Sequence, residues 1–430
     1  MWKNKFYFIY VFLFVLLSSC GWNGNYNGKK VKFGEYRGVL LTQDKEIPFK
    51  FDFTSSGDGQ YLLNLINGDE RIPLDNIKWR NDSLYIKMHV FDAHIIVKPD
   101  GGEWSGYWVK DYTDDFKIPF KATAGASERF SEVDQEVAPK EIGGKLRVVF
   151  NPDGENPRHA VGIMKQDGHK IRGTFLTLMG DYRYLEGVVS GNKFYLSAFN
   201  GESAYLIEGE VLEDNIVVGD FWSGMSRHDK WEGEFDENAS LPKADSLTKL
   251  SFAEKRKKQP TDGLPEDEPF YFEGKNLTGE RVDIYHPKYE DKALIIQIMG
   301  TWCPNCMDEA AFLVDWHADN KDLPLEIVGL SFELKDDFAY GKQRIETFRD
   351  RYKIDYDLLF AGKNEKESIQ QALPYIERVV AFPTTIYLNK NHEVVKIYTG
   401  FSGPATGDYY EAFKKEFEET VLKILDKNAE

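Results

Sequence analysis

The sequence predicts a multidomain chain: an N-terminal antiparallel β region built as two β lobes, followed by a C-terminal α/β domain. Three observations carry this. Between about residues 31 and 235, short runs alternate apolar and polar positions and are broken by Gly, Asn and Asp, with no amphipathic helix among them. From about residue 265 onward, strand-like and helix-like segments take turns, the pattern of a layered sheet with helices on both faces. A length of 430 residues, 42% hydrophobic and 14% aromatic, is too great for one ordinary core and too apolar for a disordered chain.

The N-terminal segment reads as an address. In MWKNKFYFIYVFLFVLLSSC, Lys3 and Lys5 precede an uncharged apolar run from Phe6 to Leu17, the layout of a signal peptide. As a helix that run rises roughly 18 Å, short of the ~30 Å hydrocarbon core, which disfavours a permanent span. Leu17-Ser18-Ser19-Cys20 resembles the bacterial lipobox, in which the cysteine is acylated and becomes the new N-terminus. The resemblance implies a lipoprotein signal peptide at 1–19, lipidation at Cys20 and a periplasm-facing chain, lipid-anchored to a bacterial membrane. Each buried acyl methylene contributes about 0.8 kcal/mol, so several chains hold firmly. Residues 20–30, rich in Gly and Asn, read as a flexible tether. Acidic residues outnumber basic ones 71 to 54, for a formal charge of −17, and such a field repels phosphate backbones. No nucleic acid is expected as a partner.

Two lobes, 31–126 and 141–237, are read from a weak internal repeat. The stretch near 79–108 resembles that near 189–224, each running strand, turn, strand and then a Gly-acid-Trp segment. Each is followed by an acidic-aromatic strand, DDFKIPF or WEGEF. A β-sandwich or a partly open barrel fits each copy. Trp104, Trp108, Trp222 and Trp231 admit a ligand-stacking role, but aromatic residues are favoured in sheets and core packing is expected. His89, His94, His159, His169 and His228 are scattered, and no metal site is read from them. Residues 238–264 change to Pro, Ser and blocks of charge, a linker with one short helix expected at Leu247 to Lys257.

The last domain, 265–430, carries the chemistry. Strands are expected at Arg281 to Tyr285, Leu294 to Met299, Leu325 to Phe332, Thr385 to Leu388 and Val394 to Thr399. Helices are expected at Asn305 to His317, Arg344 to Tyr352, Lys366 to Ile376 and Tyr409 to Leu425. Between the second strand and the first helix sits Trp302-Cys303-Pro304-Asn305-Cys306. Cys303 falls at a helix N-terminus, where unpaired N–H groups and the positive end of the macrodipole favour a thiolate, and Cys306 lies nearly one turn on. Such a pair attacks a disulfide with one thiol and resolves the mixed disulfide with the other. Half of a zinc site is the other use of C-x-x-C, yet no second C-x-x-C or paired His exists to complete it.

With IIQIMGTWCPNC and Phe382-Pro383-Thr384-Thr385 in view, the domain resembles the TlpA/ResA-like thioredoxin-family thiol:disulfide oxidoreductases. The resemblance implies a thioredoxin-like fold, a redox-active Cys303–Cys306 disulfide with Cys303 as nucleophile and Cys306 as resolving thiol, and Pro383 as the cis-proline beside them. It places Glu309 at the family's glutamate, managing protons of the pair. The bland reading of Glu309 is an acid complementing the helix dipole. Six residues before Cys303, where thioredoxin has a buried aspartate, stands Gln297. GFSGPATG at 400–407, SFELKDDFAYG from Ser331 and AFNGESAYLIEGEV from Ala198 resemble segments of Bacteroidetes-type lipoproteins with an N-terminal β-rich region before a redoxin domain.

The same resemblance implies a membrane-anchored reductase of protein disulfides, needing no cofactor and fed electrons by a membrane thiol reductase. A peroxiredoxin would need Pro and Thr or Ser where Ile296 and Gly300 stand, and a copper-delivery redoxin would need C-x-x-x-C. The alternative of a different class is a binding lipoprotein whose β region recruits a glycan, peptide or protein partner, with an accessory redox domain.

Overall fold

The computed structural model describes residues 23–26, 29–56, 59–126, 128–131, 133–134, 137–241 and 270–425. The signal peptide, Cys20, the expected helix at 247–257 and most of the 238–264 linker lie outside the described residues. Among the described residues, no helix is long and apolar enough to cross a membrane.

A hairpin of Asn23–Tyr26 with Lys29–Lys32 stands where the sequence reads as a flexible tether. Val31, in the second of these strands, is buried and bridges Gly101 of the first lobe.

Both lobes are barrel-like antiparallel meanders. In the first, nine strands lie between Gly34 and Ala124. The leading strand, Gly34–Thr42, pairs with Lys45–Ser55 on one side and with the final strand, Lys117–Ala124, on the other. The sheet therefore curls round, leaving Glu70–Leu74 and Ile77–Arg80 as its two edges. Alternation along Lys45–Ser55 puts Ile47, Phe49, Phe51 and Phe53 inside. At Gly106 a Cβ would come within 1.9 Å of the Ile96 carbonyl oxygen, so only glycine lets these neighbouring strands approach.

The second lobe closes fully. Arg158–Asp167 pairs with both Gly144–Phe150 and Lys170–Thr177, and Gly144–Phe150 pairs in turn with Arg227–Phe235, completing the ring. Phe150, Phe175, Phe194, Phe221 and Trp231 fill the interior, each contributing roughly 1.5–3 kcal/mol or more by leaving water. Trp104, Trp108 and Trp222 are buried as well, so the tryptophans pack cores and offer no stacking platform. The barrels lock together through Asn67, whose amide pairs with both backbone groups of Phe199 at 3.0 and 3.2 Å. Arg129, buried between them, donates to the Ile66 carbonyl at 2.7 Å and to Glu186 at 2.8 Å.

The C-terminal domain is built from β1 (Glu273–Lys275), β2 (Arg281–Asp283), β3 (Ala293–Met299), α1 (Pro304–Asp319), β4 (Leu325–Glu333), α2 (Phe338–Tyr352), β5 (Asp357–Lys363), α3 (Lys366–Ala372), β6 (Thr384–Leu388), β7 (Val394–Thr399) and α4 (Asp408–Leu425). Sheet order is β2-β1-β5-β4-β3-β6-β7, with β3, β4 and β5 parallel and β6 antiparallel to β3. Every residue of β3 is buried, as a strand covered on both faces requires. Ile295 and Met299 belong to a core with residues of α1, α2 and α4, while Leu294, Ile296 and Ile298 belong to one with Ile369 and Ala372 of α3.

Four details differ from the sequence reading. β1 and β5 had no expected counterparts. α2 starts at Phe338, six residues before the expected Arg344, because Asp337 caps it by accepting from the Tyr340 N–H at 2.6 Å. α3 stops at Ala372 instead of reaching Ile376, since Pro374 disfavours helical backbone at Leu373 and cannot extend the helix.

Candidate functional site

The C-x-x-C lies at the junction of β3 and α1. Cys303 is the N-cap of α1 and Pro304 its first residue, a position where the missing N–H costs nothing. The Cys303 sulfur accepts from the Cys306 N–H at 3.2 Å, so the cap itself is a thiol. Both thiols are free, and Cys306 is wholly buried. Burial, and Cys303 beside it, push the Cys306 thiol well above the usual cysteine range, with Glu309 adding to the rise. The two sulfurs are thus unlike: one at a helix end, the other sealed beneath it.

Phe382-Pro383 is a cis peptide bond, and the Cys303 thiol donates to the Phe382 carbonyl at 3.3 Å. Trp302 packs its ring 5.3 Å from that of Phe382 and donates its indole N–H to the Phe332 carbonyl at 2.9 Å. Glu309 follows Cys306 by three residues on the buried side of α1 and is 1% exposed. Thr385 donates to one of its oxygens at 2.6 Å and Gln297 to the other at 2.7 Å. Burial holds its carboxyl up at about 7 against the lowering of those two hydrogen bonds. A carboxyl so enclosed is no surface partner of the helix dipole. Gln297, standing where an acid was missed, orients the acid instead.

Sequence reasoning overlooked Glu333. It accepts from the Thr301 N–H at 3.1 Å, the Thr301 hydroxyl at 2.8 Å and the Ser331 hydroxyl at 2.6 Å, all buried, and so fixes the loop before Cys303. The end of β4 was legible, but nothing local says that an acid there turns inward.

Also missed was the approach of the second barrel. Its Arg183 donates to the Pro304 carbonyl at 2.7 Å and pairs with Asp308 of α1 at 2.6 Å. Asp181 accepts from the Gly403 N–H at 2.6 Å. Burial raises the Asp308 carboxyl to about 7, with Arg183 opposing and Asp181 and Glu70 adding to the rise. A contact between Arg183 and Pro304, 121 positions apart, leaves no local signal in sequence.

The AhpC/TSA family model matches residues 266–397. Thiol-disulfide oxidoreductase ResA of Halalkalibacterium halodurans is 24% identical over 127 residues, covering 29% of this chain and 62% of that one. ResA of Oceanobacillus iheyensis is 26% identical over 111 residues, 26% of this chain and 51% of its own. The alignments thus span between half and two thirds of those relatives. A solved structure of a thiol-disulfide oxidoreductase from Bacteroides fragilis is 17% identical, covers 34% of this chain and 99% of its own, and superposes with a TM-score of 0.27. Between residues 266 and 397 the chain is therefore similar in sequence to the AhpC/TSA family and to the ResA thiol-disulfide oxidoreductases, on a thioredoxin-like fold.

Proposed function

We propose that the protein is a lipid-anchored, periplasm-facing thiol:disulfide oxidoreductase that reduces disulfides in other proteins. The observation that carries the reading is the asymmetry of the pair, with Cys303 capping α1 against the Phe382 carbonyl and Cys306 sealed below. Cys303, as thiolate, attacks one sulfur of a client disulfide. That bond breaks, the leaving sulfur takes a proton, and a mixed disulfide remains. Cys306 then gives up its proton, with Glu309 as acceptor, and attacks Cys303, releasing the second client thiol. Two electrons have passed to the client, and the protein holds a Cys303–Cys306 disulfide. A membrane thiol reductase restores the dithiol.

Pro383 acts beside this exchange by leaving the adjoining backbone of Phe382 against the reacting sulfur. A carboxyl near pH 7 is matched to taking a proton at neutral pH, which is what Glu309 supplies. Ile296 and Gly300 occupy the places where peroxide chemistry would require Pro and Thr or Ser, so peroxide is not proposed as substrate. The anchor belongs to Cys20 and the sequence signal before it.

Cys306→Ala tests the reading. Without the resolving thiol, the client stays bound through Cys303 until reductant is added, and cells expressing the variant should yield reductant-sensitive adducts. Adducts forming equally with Cys303→Ser would mean that the nucleophile is misassigned. Fatty-acid labelling of wild type but not of Cys20→Ser tests the anchor, and equal labelling of both would remove it.

A further inference from the structure

We propose that Arg183 of the second barrel is a positioning residue for the C-x-x-C, holding the first turn of α1 by its Pro304 carbonyl and placing a cation at that turn. The inference rests on the thiol-exchange reading and adds that the β region tunes it. The strand Lys170–Thr177 ends in a short turn that leaves the barrel toward the redox domain. Gly180, just past that turn, has φ +125°, and a Cβ there would lie 2.0 Å from the Asn305 side-chain amide nitrogen, between the two cysteines in sequence. Gly400 meets the same turn from the other side, where a Cβ would fall 2.8 Å from the Leu178 carbonyl oxygen. Gly180 thus lies against the Asn305 side chain, and Gly400 against the backbone of the turn, closer than a Cβ allows.

Arg183 itself sits at φ +56°, a left-handed conformation rare for a long side chain. Its N–H donates to Asp181 at 2.6 Å, which stabilises that turn. The same Asp181 holds Gly403, and Gly400, three residues back, donates its N–H to the Pro383 carbonyl at 2.9 Å. The barrel turn therefore grips the site from two directions, the start of α1 and the cis-proline segment. Arg183's guanidinium is 10% exposed and faces Asp308 of α1, Glu70 of the first barrel and Asp181 of its own turn. The Tyr352 hydroxyl of α2, hydrogen-bonded to His89 at 3.0 Å, completes the surroundings.

The consequence is electrostatic. A cation bound to the first residue of α1 adds to the positive end of the helix and favours the thiolate of the neighbouring Cys303. Removing it takes the cation from the first turn of α1 and leaves the Glu70, Asp181 and Asp308 carboxyls there without it, which disfavours a thiolate at that end of the helix. A pair whose thiolate is disfavoured is also more reducing.

The experiment measures iodoacetamide alkylation of Cys303 against pH, and the equilibrium with glutathione, in the full chain. Arg183→Met should move the alkylation profile to higher pH, slow alkylation at pH 7 about three- to tenfold and shift the potential downward, tenfold in the equilibrium corresponding to ~30 mV. Arg183→Lys, which keeps the charge, should restore most of the profile. Glu70→Gln removes a negative charge from the far side of Arg183 and should move the profile the opposite way, a sign that mere loosening of the junction does not produce. Unchanged profiles for Arg183→Met and Glu70→Gln, or shifts of both in one direction, would overturn the proposal. Should Arg183→Met fold poorly, Glu70→Gln and Arg183→Lys still decide it. Should wild type fail to reduce insulin while these shifts appear, the client reading falls and this one stands.

Discussion

The two barrels share a strand order and part company at one connection. In the first, Tyr61–Asn67 turns back into a full strand, Glu70–Leu74, which pairs with it from Asn67↔Glu70 to Leu63↔Leu74. In the second, the corresponding return is cut to Gly180–Asp181 and pairs only with Thr177 and Leu176. The rest of Lys170–Thr177 is left free to pair with Leu185–Ser190, from Lys170↔Val188 to Gly173↔Leu185, and that pairing closes the ring. Shortening one strand thus does two things: it abolishes an edge, and it releases Arg183 toward the redox domain. The open barrel contributes Glu70 from its own version of the same strand, so equivalent places in the two repeats meet at one ion pair.

The largest effect expected from this contrast concerns closure. Trp231→Ala, in the packed interior of the closed barrel, should cost about 3–5 kcal/mol in urea denaturation. Trp79→Ala, on the half-buried edge strand of the open one, should cost about 1–2 kcal/mol. Equal losses would mean that closure confers no extra rigidity.

In the redox domain, Glu309 ties stability to pH. Glu309 is raised to about 7 from an ordinary value near 4.3, so the folded state holds its proton through that window while the unfolded state does not. Its contribution to stability is therefore lost as pH rises from about 4 to 7. Glu309→Gln should be close to neutral at pH 4 and stabilising at pH 8, on the order of 3 kcal/mol at most. A variant equally affected at both pH values would remove the raised carboxyl.

Glycine at the two corresponding strand returns should respond unequally. Gly180→Ala puts a methyl into Asn305 and should cost about 2–3 kcal/mol, whereas Gly68→Ala, at φ +55° with only the flexible Arg172 side chain at 3.4 Å, should cost about 1 kcal/mol. Thermal melts would reverse the comparison if Gly68 proved the more sensitive. Smallest of all, Arg172→Ala breaks a pair with Asp69 whose side chains are 51% and 77% exposed, and should change stability by ~0.5 kcal/mol or less.

Much of the redox domain was legible because its signals are local. A continuous apolar run marks β3, the cysteines mark the start of α1, and Pro383 marks the segment that meets them. The β region was legible as strands and as a repeat: the stretches near 79–108 and 189–224 correspond to four-strand meanders in matching places of the two barrels. Whether such a meander closes depends on pairing between distant strands, which alternation does not encode. β5 escaped notice because Leu358, Leu359 and Phe360 form too short an apolar run to distinguish from a loop between helices. The beginning of α2 was masked by Gly341, a poor helix former, which is used there because Phe360 packs where its Cβ would be, 2.3 Å away. Gln297 looked like a lost acid, and its role emerged only with Glu309 opposite it.

The proposed chemistry requires Cys303 to be the entering thiol and Cys306 the resolving one. Mass spectrometry after reaction of the reduced full chain with oxidised glutathione tests this most directly. Wild type should pass through a transient adduct to an internal Cys303–Cys306 disulfide, and Cys306→Ala should accumulate one stable glutathione on Cys303. Cys303→Ser should acquire none at a comparable rate, since Cys306 is buried and its thiol is held protonated. A Cys303→Ser variant that forms the adduct as fast as Cys306→Ala would contradict the assignment.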